Sequence, residues 1–345
     1  MRKAVKWLAL TLCFTLVISV GYYGLSLYSS LNELNKDGAI GDIFEGKNAT
    51  GISYPIPPDE EYKSPEWEGK ERVNILILGG DSRGTKNTKE IPRSDSIMIA
   101  SIDPVTKKAS LFSILRDTYV EIPGYGSDRI NAAFAYGGPK LAMETVSRYT
   151  GLEIQYFVYT DFQGFMALVD SIGGIYIDVE KDMKYQDAWD GHEFDINLKK
   201  GPQQLDGKTA LQYVRFRHDA TSDFTRTERQ RKFMTAVATK MQSTTNLIKL
   251  PKIIASIDPY IETNLAVNDM IKLATLGYKV KTNGITSQQL PPQGIVTEMW
   301  VGAAQVIGGD ADAVRAFIVD FLEQQNQPSP SPDPSASPSS TAPES

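Results

Sequence analysis

The chain has 345 residues, and its composition, charge and cysteine content exclude several classes of protein. The hydrophobic fraction of 41% is ordinary for a globular chain, and the length suits one large α/β domain or about two smaller ones. A net charge of −6 argues against a general nucleic-acid-binding role, because such surfaces are usually basic. The single cysteine, Cys13, excludes an intrachain disulfide and a cysteine zinc site, and two histidines are too few for a histidine-rich metal site.

The N-terminal residues have the pattern of an uncleaved signal anchor. Arg2, Lys3 and Lys6 precede an uncharged apolar run from 7 to 28, which is long enough to cross a bilayer core of roughly 30 Å. Because basic flanks remain in the cytoplasm, residues 1–6 are expected there and the rest of the chain outside the cell membrane. A cleaved signal peptide is the alternative, but no clear A-x-A cleavage site follows the run.

Two polar segments flank the predicted globular part, which extends from 71 to 326. Residues 29–70 are polar and contain several prolines, as expected for an extracellular tether. Residues 327–345 consist almost entirely of Pro, Ser, Ala and Thr, a composition typical of a disordered tail. Between these segments, no change in composition is strong enough to indicate a second domain.

The globular part begins with a predicted central strand that ends in a turn. Residues 73–78 are apolar in the manner of a strand buried on both faces, and Gly79 and Gly80 then permit a sharp turn close to a ligand. Asp81 and Arg83 would therefore lie at the carboxyl end of a central strand, where open α/β sheets usually bind ligands.

A second strand is predicted at 96–102, with Arg93 and Asp95 at its start. Together with the preceding turn, it would bring two carboxylates and two arginines to one edge of the sheet. Carboxylates bind a hard cation such as Mg²⁺, and arginines bind phosphate oxygens. The alternative interpretation is that these side chains are loop caps and surface ion pairs.

The remaining predicted elements alternate between strands and helices, which favours a layered α/β domain. Further strands are predicted at 109–115, 155–160 and 175–179 and within 291–305, and helices at 131–149, 161–170, 205–213, 264–279 and 311–323. Asp161 and Asp206 are the predicted N-caps of two of these helices. Gly137, Gly138 and Pro139 are predicted to break the helix at 131–149.

Arginines gather in a few stretches of an otherwise acidic chain, which predicts a local anion site. If the segment after Tyr213 is extended, Arg215 and Arg217 share one face while Val214 and Phe216 enter the core. Two arginines held by buried neighbours would clamp a pyrophosphate. A solvated strand face is the alternative.

One arginine of the next stretch lies in an unfavourable position. Thr225 and Glu228 have the spacing of a capping box, which predicts a helix start with Arg226 in the first turn and Gln230 on the same face. Arginine there opposes the helix macrodipole, and a bound anion would offset the repulsion. The alternative is a salt bridge from Arg226 to Asp223.

Arg116, at a strand end, and Arg129, before a helix, add further cations. The sequence has no Walker A loop, no G-x-S-x-G elbow and no H-E-x-x-H motif, so nucleotide, serine and zinc hydrolysis are poorly supported.

Seven separated motifs, in this order, resemble the LytR-CpsA-Psr family. They are N-I-L-I-L-G-G-D-S-R at 74–83, R-S-D at 93–95, R-D at 116–117, D-R-I-N-A at 128–132, G-P-Q-Q-L-D-G at 201–207, Y-V-R-F-R-H at 213–218 and R-T-E-R-Q at 226–230. The motif-bearing core extends from 73 to 241 within the domain at 71–326. Arg129 departs from the lysine common in the family, and Leu115 from its proline.

The resemblance implies an α-β-α sandwich around a mixed central β-sheet, here with an N-terminal transmembrane helix. It also implies an enzyme that transfers a teichoic acid or capsular polysaccharide from a polyprenyl-pyrophosphate carrier to peptidoglycan, in a Gram-positive-type envelope. Asp81 and Asp95 match the family's Mg²⁺-site aspartates. The implied catalytic residues are Asp81, Asp95, Arg93, Arg116 and Arg217, and the implied pyrophosphate-binding residues are Arg83, Arg93, Arg116, Arg129, Arg215, Arg217, Asp223, Arg226 and Gln230.

The roles of the two aspartates stay open at this point, since either could instead take the proton from a peptidoglycan hydroxyl. Two other functions also stay open. One is a hydrolase that cleaves polyprenyl pyrophosphate, and the other is a non-enzymatic membrane-bound regulator or wall-polymer binder.

Overall fold

The computed structural model of the chain describes residues 63–80, 94–186, 192–217, 222–243, 245–246, 249–280 and 284–326. The predicted anchor at 7–28, the predicted tail at 327–345 and the predicted site residues Asp81, Arg83 and Arg93 lie outside the described residues. Within the described part, no helix is long and apolar enough to cross a membrane.

A mixed sheet forms the centre of the described residues. Its strands are β1 (Val73–Gly80), β2 (Ser94–Asp103), β3 (Lys108–Ile114), β6 (Tyr156–Thr160), β11 (Ile261–Thr263) and β12 (Ile285–Leu290), in the order β11-β6-β1-β2-β3-β12. Strands β1, β2 and β3 are antiparallel neighbours, whereas β6 is parallel to β1 and β12 is parallel to β3. Gly80 pairs with Ser94, so the end of β1 and the start of β2 lie at the same edge, as predicted.

Shorter strands form four antiparallel pairs within the described ranges. These pairs are β4 (Tyr119–Ile122) with β5 (Gly126–Arg129), β7 (Ile175–Val179) with β10 (Gly201–Leu205), β8 (Met183–Tyr185) with β9 (Ile196–Leu198), and β13 (Thr297–Val301) with β14 (Ala304–Gly308). The helices are α1 (Ala132–Thr150), α2 (Phe162–Ser171), α3 (Gly207–Arg215), α4 (Ser222–Met241), α5 (Leu250–Ile257), α6 (Val267–Lys279) and α7 (Ala311–Asn326), with a 3-10 turn at Asp258–Tyr260.

The central sheet lies between helices on both faces, because successive side chains of a strand point in opposite directions. On one face, Leu76 and Leu78 pack with α1 and α7. On the other face, Val73 and Ile75 pack with α6. A further core joins α2, α3, α4 and α5 to the β7–β10 pair. The predicted mixed α/β architecture is therefore confirmed.

Several local sequence signals act as predicted. The Asp161 carboxylate accepts a hydrogen bond from the Gly164 N–H at 2.9 Å and so caps α2. Asp206 accepts one from the Thr209 N–H at 2.8 Å and caps α3. The backbone of Gly138 has a φ of 66° inside α1, which produces the predicted break in that helix.

Two predictions around the arginine stretches are wrong. Helix α3 continues to Arg215 and its last turn closes when the Phe216 N–H bonds to the Gln212 carbonyl at 3.2 Å, so Arg215 and Arg217 do not share a strand face. The helix continues because Leu211 and Val214 keep burying its apolar face.

Helix α4 starts at Ser222, three residues before the predicted capping box. Asp223 lies in its first turn, where a carboxylate complements the macrodipole, and Arg226 therefore lies one turn further along. The predicted last strands, within 291–305, also omitted β12, whose four consecutive polar residues at 286–289 give it little apolar signal.

Candidate pyrophosphate site

Four segments meet at one edge of the central sheet and bring charged side chains together. Asp95 lies near the start of β2, and Arg116 lies just beyond the end of the antiparallel β3. Arg217 follows α3, and Asp223 and Arg226 lie at the start of α4. These residues are separated by up to 131 positions in sequence, so only the tertiary fold assembles them.

The Asp223 carboxylate is the centre of this arginine cluster. Its Oδ1 lies 2.6 Å from Nη2 of Arg226, 3.5 Å from Nη2 of Arg217 and 3.8 Å from Nε of Arg116. The side chains of Asp223 and Arg226 are only 14% and 6% exposed, so this ion pair is buried. Since a carboxylate has the same sign as a pyrophosphate, Asp223 holds the arginines in place and does not itself attract the anion.

Four polar atoms of the cluster form no hydrogen bond with the described residues. Both Asp223 oxygens, together with Nε of Arg116 and Nε of Arg226, are buried without a hydrogen-bond partner in the described part of the chain, although their ion-pair distances are short. Buried polar atoms nearly always have such a partner. Nε of Arg116 and Nε of Arg226 are therefore donors for which the described residues supply no hydrogen-bond acceptor.

Asp95 and Asp117 extend the charged network on either side of Arg116. Arg116 forms a close ion pair with Asp95 through Nη1, and its Nε lies 3.5 Å from Asp117. Asp117 also pairs with Nη1 of Arg129 at 3.1 Å, which connects the fourth arginine to the cluster. Arg226 reaches across to donate to the backbone carbonyl of Asp95 at 3.3 Å.

The electrostatic environment acts in opposite directions on the two inner arginines. Burial lowers the pKa of Arg116, but the nearby carboxylates, Asp95 foremost, outweigh it and raise the pKa above its usual value. Burial lowers the pKa of Arg226 to about 10, and attraction to Asp223 offsets this only in part because the neighbouring arginines repel. Both side chains remain charged at neutral pH, and an added anion would relieve the penalty on Arg226.

Two other predicted ligands have different surroundings. The Arg215 guanidinium lies 4.8 Å from the ring centre of Phe162 and donates to the Phe194 carbonyl at 3.2 Å. Gln230 accepts a hydrogen bond from the Ser96 hydroxyl at 3.2 Å and so connects α4 to β2. Its amide nitrogen donates to a backbone carbonyl of α3 at 3.4 Å.

Most of the chain also matches a known protein family. The model of the LytR_cpsA_psr family matches residues 43–318. This chain belongs to the LytR-CpsA-Psr family. The resemblance drawn from the seven motifs is therefore confirmed.

Several members of the LytR-CpsA-Psr family are similar to the chain over most of its length. The regulatory protein MsrR of Staphylococcus aureus strain Mu50 is 35% identical over 223 residues. The match covers 63% of this chain and 64% of MsrR, so the chain spans under two thirds of the length of MsrR. The polyisoprenyl-teichoic acid–peptidoglycan teichoic acid transferase TagU of Enterococcus faecalis strain V583 is 34% identical over 250 residues, which is 70% of this chain and 79% of TagU. The crystal structure of B. subtilis TagV superposes with a TM-score of 0.63 at 28% identity, covering 74% of this chain and 98% of TagV.

Sequence reasoning gave no role to two acidic residues, one within the cluster and one that pairs with an arginine outside it. Asp117 follows Arg116 directly, and the R-D pair at a strand end was its only signal. Glu180 follows β7 and pairs with Arg229 of α4, a contact between residues 49 positions apart that no local pattern indicates.

Among the described carboxylates of the cluster, Asp95 is the most exposed and is the one best placed for a Mg²⁺ ion. The described ranges contain no group of three or more His, Cys, Asp or Glu side chains that could hold a metal. Mg²⁺, however, is commonly bound by one or two carboxylates together with substrate phosphate oxygens and waters. Asp95 offers a carboxylate that is 36% exposed beside the arginines, which is compatible with that mode of binding.

Proposed function

We propose that this LytR-CpsA-Psr protein is a membrane-anchored phosphotransferase. Its substrate would be an anionic glycopolymer of teichoic acid or capsular polysaccharide type on a polyprenyl-pyrophosphate carrier, and its acceptor would be peptidoglycan. The observation that carries the proposal is the buried arginine cluster around Asp223, with its unused N–H donors. The name of the relative TagU, a teichoic acid transferase, supports the same reaction class.

The arginines would bind and orient the pyrophosphate. Guanidinium groups present a planar fork of donors that matches phosphate oxygens, and Arg116 and Arg226 approach the same point from two different elements. Because both are held by buried neighbours, little side-chain entropy is lost when the anion binds. The same donors would stabilise the charge that develops on the transferring phosphoryl group.

Asp95 would contribute in one of two ways. With Asp81 it would hold Mg²⁺, which when bound would neutralise the pyrophosphate and improve its leaving group. Alternatively, Asp95 would take the proton from the acceptor hydroxyl. Asp95→Asn distinguishes these roles, because added Mg²⁺ should restore part of the activity only if Asp95 acts as a metal ligand.

The transfer reaction can be tested with the purified chain, a lipid-linked polymer and peptidoglycan oligomers. A covalent polymer–peptidoglycan adduct would support transfer, whereas lipid phosphate and free polymer alone would indicate a hydrolase. Arg226→Ala should abolish adduct formation. Arg148→Ala is the matched control, because that arginine of α1 is 62% exposed, pairs only with Glu144 among the charged groups of the described residues and should be dispensable.

A membrane-bound regulator is the second candidate, and the name of MsrR favours it. In cells, Asp95→Ala and Arg217→Ala should lower the amount of wall-linked polymer if the chain is an enzyme. Unchanged polymer content in both variants, at normal protein level, would leave the regulator as the better explanation.

A further inference from the structure

A second buried arginine of α4 is turned away from the cluster around Asp223. Arg229 is 4% exposed and donates through Nη1 to the Phe216 carbonyl at 2.9 Å. Its Nε donates to the Glu180 carboxylate, and its Cζ lies 5.2 Å from the centre of the Phe216 ring. One buried cation thus holds both the backbone and the side chain of the residue immediately before Arg217.

The hydrogen bond from Arg229 to the Phe216 carbonyl holds the peptide group between Phe216 and Arg217. The Phe216 carbonyl belongs to the peptide plane whose nitrogen is that of Arg217. Arg217 itself is 41% exposed in its side chain and approaches Asp223 at 3.5 Å. A donor that fixes this plane therefore restricts the directions in which the Arg217 side chain can leave the backbone.

We infer that Arg229 and Glu180 are positioning residues, which orient the Phe216–Arg217 peptide so that Arg217 reaches the pyrophosphate. They act through Arg217 and make no contact with the reacting atoms. The inference rests on the proposed transfer function for its activity measurement, but not for its structural measurement.

Further contacts make Glu180 a fixed partner for Arg229. Glu180 follows β7 directly, and α4 is tied to the same strand by Lys232, whose Nζ donates to the Asp178 carbonyl at 2.9 Å. Burial raises the pKa of Glu180, but the hydrogen bond from Arg229, a backbone hydrogen bond and the charges of Arg229 and Lys232 together outweigh it and lower the pKa below its usual value. The carboxylate therefore stays charged and continues to hold the guanidinium.

A double-mutant cycle between Arg229→Ala and Arg217→Ala tests the inference. Arg217→Ala should lower kcat/KM by about 100-fold, as loss of one transition-state donor does. Arg229→Ala should lower it by roughly 10-fold in the native background but by no more than about 2-fold when Arg217 is already absent. Equal losses in both backgrounds would overturn the inference, since a purely structural role lowers activity whether or not Arg217 is present.

The control for the cycle is Arg231→Ala. Arg231 lies on the same helix and is also partly buried, but its guanidinium donates to the Ser113 hydroxyl on β3 instead of to Phe216. Its effect should therefore combine additively with that of Arg217→Ala.

Amide hydrogen exchange supplies the structural measurement. Glu180→Ala serves as a second variant that should disturb the fold less, because the Glu180 side chain is 39% exposed. Exchange at the Phe216 amide, which donates to the Gln212 carbonyl at 3.2 Å, should accelerate by roughly 10-fold in both Arg229→Ala and Glu180→Ala, and stay unchanged in Arg231→Ala. Unchanged exchange in both test variants would overturn the positioning role. If the native chain instead catalyses no transfer, the proposed function fails while the exchange data still decide the positioning role.

Discussion

Asp223→Asn is the substitution that most directly tests how the arginine cluster is held. The variant keeps the shape of the side chain and removes its charge. With an effective dielectric constant of about 20, the Coulomb attraction between the Asp223 carboxylate and Arg226 is roughly 6 kcal/mol, and that between Asp223 and Arg116 is roughly 4 kcal/mol. The cost of desolvation has not been subtracted from these values. The contact to Arg217 counts for little, because that side chain is 41% exposed and its charge is screened.

The net cost should be smaller than these attractions. Loss of one partner of a buried ion pair typically destabilises a protein by about 3–5 kcal/mol, because it leaves a buried charge uncompensated. For a domain of this size that corresponds to a decrease in Tm of roughly 6–20 °C. Thermal unfolding measured with and without inorganic pyrophosphate is the assay, and pyrophosphate should stabilise Asp223→Asn more than it stabilises the native chain.

Asp312→Asn is the matched control for this experiment. Asp312 also pairs with an arginine three residues later, Arg315, at the same 2.6 Å, but its side chain is 89% exposed. Its loss should change stability by less than about 0.5 kcal/mol. If Asp223→Asn were equally harmless and its response to pyrophosphate unchanged, the view of Asp223 as the residue that holds the cluster would be refuted.

Three further predictions concern single side chains. Arg226→Lys keeps the charge but loses the fork of donors, so the rate of polymer transfer should fall about 100-fold with the fold intact by circular dichroism; a native rate would contradict bidentate binding. Asp206→Ala removes the N-cap of α3 and should cost about 1 kcal/mol in urea unfolding with little change in transfer, and an unchanged unfolding midpoint would contradict the cap. The pKa of Glu180 is lowered in the folded state, so its contribution to stability is present above its usual pKa of 4.5 and is lost as the pH falls below it. Unfolding curves between pH 6 and pH 3 should therefore show a smaller loss of stability for Glu180→Gln than for the native chain, and parallel losses would contradict the assignment.

The sequence by itself determined the elements whose signals are local. The caps at Asp161 and Asp206 and the break at Gly138 depend on residues within a few positions of one another, and each lies where its pattern predicts it. The family motifs likewise predicted that Arg116, Arg217 and Arg226 belong together, and the fold places all three around Asp223.

Only the tertiary structure decided what each charged residue does within that site. Strand β12 joins the central sheet through β3, more than 170 positions away, and no local pattern indicates that pairing. The sequence predicts Asp223 as a pyrophosphate-site residue, and only the fold shows that its carboxylate lies within 3.8 Å of three arginines. Arg229 lies only three positions after Arg226, on a neighbouring position of the helix surface, yet it pairs with Glu180 and Phe216 instead. A charge has the same sign wherever it lies in the sequence, but whether it binds a ligand or holds a neighbour depends on which oppositely charged groups the fold brings within a few ångströms.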